Sequence, residues 1–530
     1  MIYTRLCALI VLCRITLGSR DFTALLSSAP ESHTDLVLKK TEGRLPSWLK
    51  GSLYRVGPGL FEHGGRSVNG ICDGLAKVHG WYFEEGKVQY SSEMVPSHVY
   101  NRTMDEKVLA PSVVTGDITP DLTLAEEVRI MMSSFDKKDN ANVAIWDLEG
   151  GRSVVVTAES PMMQQLHPKT LKYEGQLLSG AISKMGWSKK PMFSASHFAK
   201  HPSGSSFNYI LTMSVLPWEM KEVSYEFFEY IPGKEGRVET RKVGSVSQPL
   251  TDMRLLHMFG ATENFIVVPL WNFQFIPQSM FHVLHDMTHL CQSIRFTYEN
   301  PFYIHVLSLG SKKKYKFELP PARGVHVMNT FERTNSKGEV EVVLDAPTTS
   351  NVHEIDLNKA CMFDMMKIPN MKDTDYLYKN VPWNTTLRRY VLNTNTLEYI
   401  IEDFPRIWDP VDAMVEFPFV NLAYLGKEYC YCYFQQWQMS TNNMDLLKYD
   451  LCRKTAKSWH EDNKHVMEPV FVANPKPTSE DDGVIVAPVY DSKDGSTEMI
   501  VWDARDLKII ARFDNLVKVP FTIHGWWFNE

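Results

Sequence analysis

Four histidines carry the chemistry this sequence is equipped for. His197 in Phe193-Ser-Ala-Ser-His197, His257 in Leu255-Leu-His-Met-Phe-Gly260, His326 in Gly324-Val-His-Val-Met-Asn-Thr-Phe-Glu332 and His524 in Val519-Pro-Phe-Thr-Ile-His-Gly525 each lie in or beside an apolar, strand-like run. One such histidine is ordinarily a core residue with satisfied ring nitrogens. The spacing of the four says more: the intervals are 60, 69 and 198 residues, and the last is three times 66. If a structural unit takes about 65 residues, all four recur at one phase and converge on a common axis. Four neutral imidazoles leave the charge of a divalent ion uncompensated and leave two positions of an octahedral shell free, which favours catalysis over a closed structural site. Ligand type alone does not choose among iron, copper, zinc and nickel.

A ligating ring holds its neutral tautomer by giving its other N–H to a carboxylate or carbonyl. Three acids stand in otherwise apolar strand contexts: Glu159 in Val156-Thr-Ala-Glu159, Glu416 in Met414-Val-Glu-Phe-Pro418 and Glu468 in Val466-Met-Glu-Pro-Val470. Each is either an outward-facing strand residue or a buried carboxylate that needs a partner, since burying it alone costs several kcal/mol. A separate cluster, His282-Val-Leu-His285-Asp-Met-Thr-His289, puts three imidazoles on one helical face. It lacks the glutamate of His-Glu-x-x-His enzymes, and the polar face of an amphipathic cap helix accounts for it more simply than zinc does.

The elements that must position these residues are strands. Runs such as Ser153-Val-Val-Val-Thr157, Phe265-Ile-Val-Val-Pro-Leu-Trp271, Glu339-Val-Glu-Val-Val-Leu344, Tyr429-Cys-Tyr-Cys-Tyr-Phe434, Gly483-Val-Ile-Val-Ala487 and Glu498-Met-Ile-Val-Trp502 are rich in Val, Ile, Tyr and Phe at strand length. Turn signals such as Glu149-Gly-Gly-Arg152 and Lys493-Asp-Gly-Ser496 separate them. The fold expected is all-β, a seven-bladed β-propeller, with residues 21–530 as one domain. The clearest helical pattern, residues 278–291, carries Met280, Phe281, Leu284, Met287 and Leu290 and interrupts the strands as a cap over the axis would.

Composition narrows the class. With 44% hydrophobic and 22% charged residues the chain is of ordinary globular make-up. A net charge of −7 gives no footprint for polyanions, so nucleic acid is not expected as a partner. Eight cysteines without a Cys-x-x-Cys pair make neither a disulfide scaffold nor a zinc ribbon. Residues 1–20 read as a leader. Leu6–Cys13 is an apolar core too short to span a bilayer, and the stretch suits either a secretory signal or, with Arg5, Arg14 and Arg20 before the first acid, an organellar presequence. The sequons at Asn101 and Asn384 fit a lumenal route. No later run reaches 18 uninterrupted apolar residues.

Several motifs in order now resemble one family. Trp48-Leu-Lys-Gly-Ser-Leu-Tyr-Arg-Val-Gly-Pro-Gly59, Asp73-Gly-Leu-Ala-Lys-Val-His79, the four histidine segments, Val415-Glu-Phe-Pro418, Glu468-Pro-Val-Phe471 and Glu480-Asp-Asp-Gly-Val484 are similar to the carotenoid cleavage oxygenases, in the animal branch of the β-carotene oxygenases and the retinal pigment epithelium isomerohydrolase. The likeness runs from about residue 40 to the C-terminus. It implies a seven-bladed propeller capped by helices and loops, with Fe(II) on the axis held by His197, His257, His326 and His524. It further implies that Glu159 orients His257, Glu416 orients His326 and Glu468 orients His524. The reaction implied is oxidative cleavage of a polyene double bond of a carotenoid or apocarotenoid by O2 to two carbonyl products. The alternatives are a retinoid isomerohydrolase acting on retinyl esters through the same iron as a Lewis acid, and a carotenoid-binding propeller without turnover.

The resemblance also implies a substrate drawn from a membrane surface and a cytoplasmic or mitochondrial setting, against which the leader leaves a secretory route open. Trp271, Phe273, Phe275, Ile276 and Phe281 form the expected docking patch near the tunnel mouth. Two departures stand out. Thr119-Pro-Asp-Leu-Thr-Leu124 replaces a Pro-Asp-Pro-Cys-Lys segment common in the animal branch, which argues against a lipid-modified or helical docking element there. Ala158 precedes Glu159 where the family often has Thr, which implies altered oxygen access or substrate preference.

Overall fold

Short β-branched and aromatic runs separated by Gly, Asn and Asp turns form antiparallel strands throughout the chain. The computed structural model describes residues 22–110, 116–132, 139–148, 153–178, 188–214, 216, 219–232, 238–275, 294–297, 300–349, 366–373, 376, 385–408, 413–438 and 441–529. The expected leader, the expected helix at residues 278–291 with its three histidines, and Asn384 lie outside them.

Among the described residues, seven sheets have four or more strands. The first joins His33–Val37, Lys87–Met94, Leu75–Glu84, Gly51–Leu60 and the last strand of the chain, His524–Asn529. The second to sixth are built of consecutive segments, beginning at Ala144–Trp146, Lys189–Ser194, Gly260–Ala261, Asn329–Thr334 and Ala413–Phe419. The seventh contains Lys464–Val466, Val470–Ala473, Gly483–Asp491, Ser496–Asp503 and Ile509–Asp514, and takes Lys39–Gly43 from the start of the chain. Neighbouring sheets touch in chain order. The second and third are tied by the Thr157 hydroxyl, which donates to the Ser196 carbonyl at 2.7 Å, and the seventh meets the first through Val470–Ala473 and His524–Asn529. The result is a β-propeller whose ring is closed twice, by an N-terminal strand in the last sheet and the C-terminal strand in the first.

Closure explains the burial of the strands. Gly51–Leu60 is buried at all ten positions because it packs on both faces and pairs on both edges. Trp81, Trp502, Val486 and Phe513 fill the space between the first and seventh sheets. A fully buried Val, Leu or Phe contributes roughly 1.5–3 kcal/mol. Gly57 admits no side chain, because a Cβ there would lie 2.3 Å from the Phe521 carbonyl oxygen, on the segment leading to His524. The lysine run at residues 312–316 begins at an exposed hairpin tip.

Two expectations need correction. Trp271, Phe273 and Phe275 are 1%, 3% and 0% exposed and therefore form no docking patch; strand alternation and the short pairing with Ile294–Phe296 turn them inward. Ile276 and Phe281 lie outside the described residues. A helix does form after the altered segment, at Leu124–Met132. It starts with a capping box in which the Glu126 carboxylate accepts from the Thr123 N–H at 2.9 Å and the Glu126 N–H donates back to the Thr123 hydroxyl at 3.4 Å. Cys430 and Cys452 form a disulfide that ties the entry of strand Tyr431–Gln438 to the turn after Asn443–Asp450. The cysteine count alone did not disclose it.

Candidate metal centre

Each of these seven sheets sends one chelating or carboxylate side chain to the axis from, or beside, one of its strands. His524 opens the closing strand of the first sheet, and Glu159 follows Val154–Thr157 of the second. His197, His257 and His326 precede or interrupt the inner strands of the third, fourth and fifth. Glu416 lies within Ala413–Phe419 of the sixth, and Glu468 lies between two strands of the seventh. The 60- and 69-residue intervals are therefore one step around the ring, and the 198-residue interval is three.

The four rings meet at the axis. Their ligand nitrogens all lie within 4.8 Å of one another. His257 Nε2 and His326 Nε2 are 3.2 Å apart, as are His326 Nε2 and His524 Nε2. Nitrogens bound at about 2.1 Å to one ion and at right angles would be separated by roughly 3 Å. His197 Nε2 is buried without a hydrogen-bond partner, as a nitrogen reserved for a metal would be. On the outer side, His257 Nδ1 donates to Glu159 at 2.7 Å, His326 Nδ1 to Glu416 at 2.8 Å and His524 Nδ1 to Glu468 at 2.7 Å. A carboxylate acceptor fixes the proton on Nδ1, so each Nε2 presents a lone pair to the centre. The site therefore fits a divalent metal ion.

Electrostatics act in the same sense. Burial, and then the neighbouring rings, hold His197 and His524 well below the ordinary histidine range, so both stay neutral. Burial raises the Glu159 carboxyl, but the bond to and attraction of His257, with a backbone bond and the Ser196 hydroxyl, together more than offset this and leave it below the usual value. Burial pushes Glu468 up to about 7 despite the nearby Arg55 guanidinium and the Gly525 N–H.

An apolar cavity opens on the rings. Its wall includes Met192, Met366, Met371, Met414 and Met444 together with Phe193, Trp271, Phe273, Trp437 and Phe521, and Ala158 lies beside Glu159. Two features of the site were not read from the sequence. Phe417 takes a left-handed backbone, φ 54°, at a break in strand register, and its ring stands 5.0 Å from that of His524. For a bulky residue this conformation costs of order 1–3 kcal/mol, and it aims the ring into the cavity beside the histidines. The other is Arg55, whose signal in the sequence is a lone arginine in an apolar strand run.

Comparison with known proteins accords with this geometry. The family model described as "Retinal pigment epithelial membrane protein" matches residues 26–529. The chain belongs to this family. Within the retinal pigment epithelial membrane protein family, also the family of the carotenoid cleavage oxygenases, it is 24% identical to the β,β-carotene 15,15'-dioxygenase of Gallus gallus, over 94% of this chain and 97% of that protein. It is 25% identical to the carotenoid isomerooxygenase of Galleria mellonella, with 96% of each chain covered. Among solved structures, cobalt-substituted apocarotenoid oxygenase of Synechocystis superposes with a TM-score of 0.77 at 20% identity, over 96% of this chain and 99% of that one. That likeness establishes the fold.

Proposed function

We propose that the protein is an Fe(II)-dependent dioxygenase that cleaves a polyene double bond of a carotenoid or apocarotenoid with O2, giving two carbonyl products. The observation that carries this reading is the convergence of four histidine nitrogens, three of them on rings that line an apolar cavity and are backed by glutamates. In this reading His197, His257, His326 and His524 are the metal ligands, and Glu159, Glu416 and Glu468 orient the last three. Iron held there supplies the activation of O2.

The chain's own residues do the rest. The glutamates keep the rings neutral and correctly turned. The methionines and aromatic rings hold a long apolar chain by dispersion and exclude water, which protects reactive species from hydrolysis and stray protons. The scheme asks for no side-chain general base, consistent with Glu159, Glu416 and Glu468 all being engaged by histidines. Residues 21–530 form one domain of seven blades. A membrane surface supplies the insoluble substrate, and docking falls to Leu124 and Val128, which stand one turn apart on the helix Leu124–Met132 and are 75% and 45% exposed.

The test is to incubate the Fe(II)-loaded protein anaerobically with β-carotene and then admit oxygen. Aldehydes or ketones that appear only after oxygen support cleavage. Retinol released from a retinyl ester without oxygen would replace this reading with isomerohydrolysis, and intact pigment retained throughout would leave a binding protein.

A further inference from the structure

The charges at the centre do not sum to zero without Arg55. This side chain is wholly buried in Gly51–Leu60. Its Nε donates to the Thr522 hydroxyl at 2.6 Å and its Nη1 to the Glu468 carbonyl at 2.8 Å. Its Nη2 donates to the carbonyls of Thr522 at 3.3 Å and Ile523 at 3.2 Å. Nη1 also lies 3.6 Å from Glu468 Oε2. One planar cation thus grips both segments that meet at His524: the residues just before the ligand, and the glutamate that fixes its ring.

The carboxylates beside the rings are unequal. Glu159 accepts from the Ser196 hydroxyl at 3.3 Å, and Glu416 from the Phe417 N–H at 3.1 Å, in addition to their histidines. Among the described residues, Arg55 is the one Lys or Arg within ion-pair distance of any of the three glutamates. Both oxygens of Glu468 accept N–H bonds, from His524 and Gly525, as an ionised carboxylate does. With all three carboxylates ionised, they and a divalent ion leave one negative charge, and Arg55 cancels it. Loss of an electron from the ion would then create net positive charge in a medium that screens it poorly.

We propose that Arg55 is a positioning residue for the Glu468–His524 arm and that its charge holds the bound iron in the divalent state. The inference rests on the iron reading above. The guanidinium reaches no cavity-lining role of its own and acts through Glu468.

The test uses the full-length, iron-loaded protein, with iron content by metal analysis and the ferric-to-ferrous ratio by electron paramagnetic resonance at a fixed applied potential. Arg55→Gln should raise that ratio about tenfold, equivalent to a fall of about 59 mV for one electron. Glu468→Gln, a milder change that leaves Arg55 in place, should lower it about tenfold. The double variant Arg55→Gln/Glu468→Gln, neutral again, should return within about threefold of wild type, although the grip is gone. An iron-loaded Glu468→Gln protein with an unmoved ratio overturns the inference even if Arg55→Gln does not fold, as does a double variant no nearer wild type than Arg55→Gln alone. Wild-type protein that holds no iron overturns the iron reading and this inference with it, whereas iron-loaded wild type with unresponsive variants overturns this inference alone.

Discussion

At the residue scale the centre works by fixing protons. Glu416→Gln keeps the shape of the side chain but removes the charge that holds the proton on His326 Nδ1. Loss of such a partner typically weakens metal binding 10–100-fold, so iron affinity measured by competition with a chelator should fall about that much while the fold is unchanged. Protons also compete directly for the ligands. His197 and His524 are held well below the unfolded value of 6.5, so as pH falls through about 6.5 the unfolded chain takes up protons that the folded one refuses. Stability and metal retention are then full above that value and decline below it. Glu468, raised to about 7, acts in the opposite sense between about 4.5 and 7, one group against two. Iron content after dialysis at stepped pH should drop below about pH 6; full retention at pH 4 would contradict neutral imidazole ligation. Glu159, Glu416 and Glu468 were legible as candidates because acids in apolar strands need partners. Arg55 and the strained Phe417 were not, since one partner lies far away in sequence and the other's backbone twist arises from a register break.

At the scale of elements, the helix Leu124–Met132 shows how local chemistry prevails over a missing motif. The segment lacks the Cys and Lys that the resemblance leads one to expect, yet Thr123-Leu-Ala-Glu126 caps a helix, and Arg66 anchors it by pairing with Glu126 at 2.8 Å. Leu124 and Val128 remain exposed on one face. Leu124→Glu/Val128→Glu should reduce co-sedimentation with phospholipid vesicles at least threefold, by loss of apolar insertion, without changing iron content. Equal binding by the variant would place docking elsewhere. The aromatic run at residues 271–275 reads in sequence as a surface patch because hydrophobic residues at a sheet end suit either side. Only the pairing of Phe273–Phe275 with Ile294–Phe296 shows that it faces inward.

At the scale of the molecule, metal binding and ring closure share one strand. His524–Asn529 supplies a proposed ligand at its first residue and zips the first sheet along Gly51–Leu60, with Val56 opposite His524. The two roles separate by experiment. His524→Ala should remain soluble and lose its iron, while deletion of residues 524–530 should also open the ring and yield protein that melts well below metal-free wild type or aggregates. Thermal unfolding of both beside iron analysis checks this; iron equal to wild type in His524→Ala would remove the ligand assignment. The sequence by itself determined the strand-rich fold and the histidines, because side-chain alternation and repeat length are local or periodic properties that a linear chain displays. It did not determine the inward turn of Trp271, the Cys430–Cys452 bond or the grip of Arg55 on Glu468. Those are contacts between segments up to several hundred residues apart, and they exist only once the seven sheets close and bring their inner ends to a common axis.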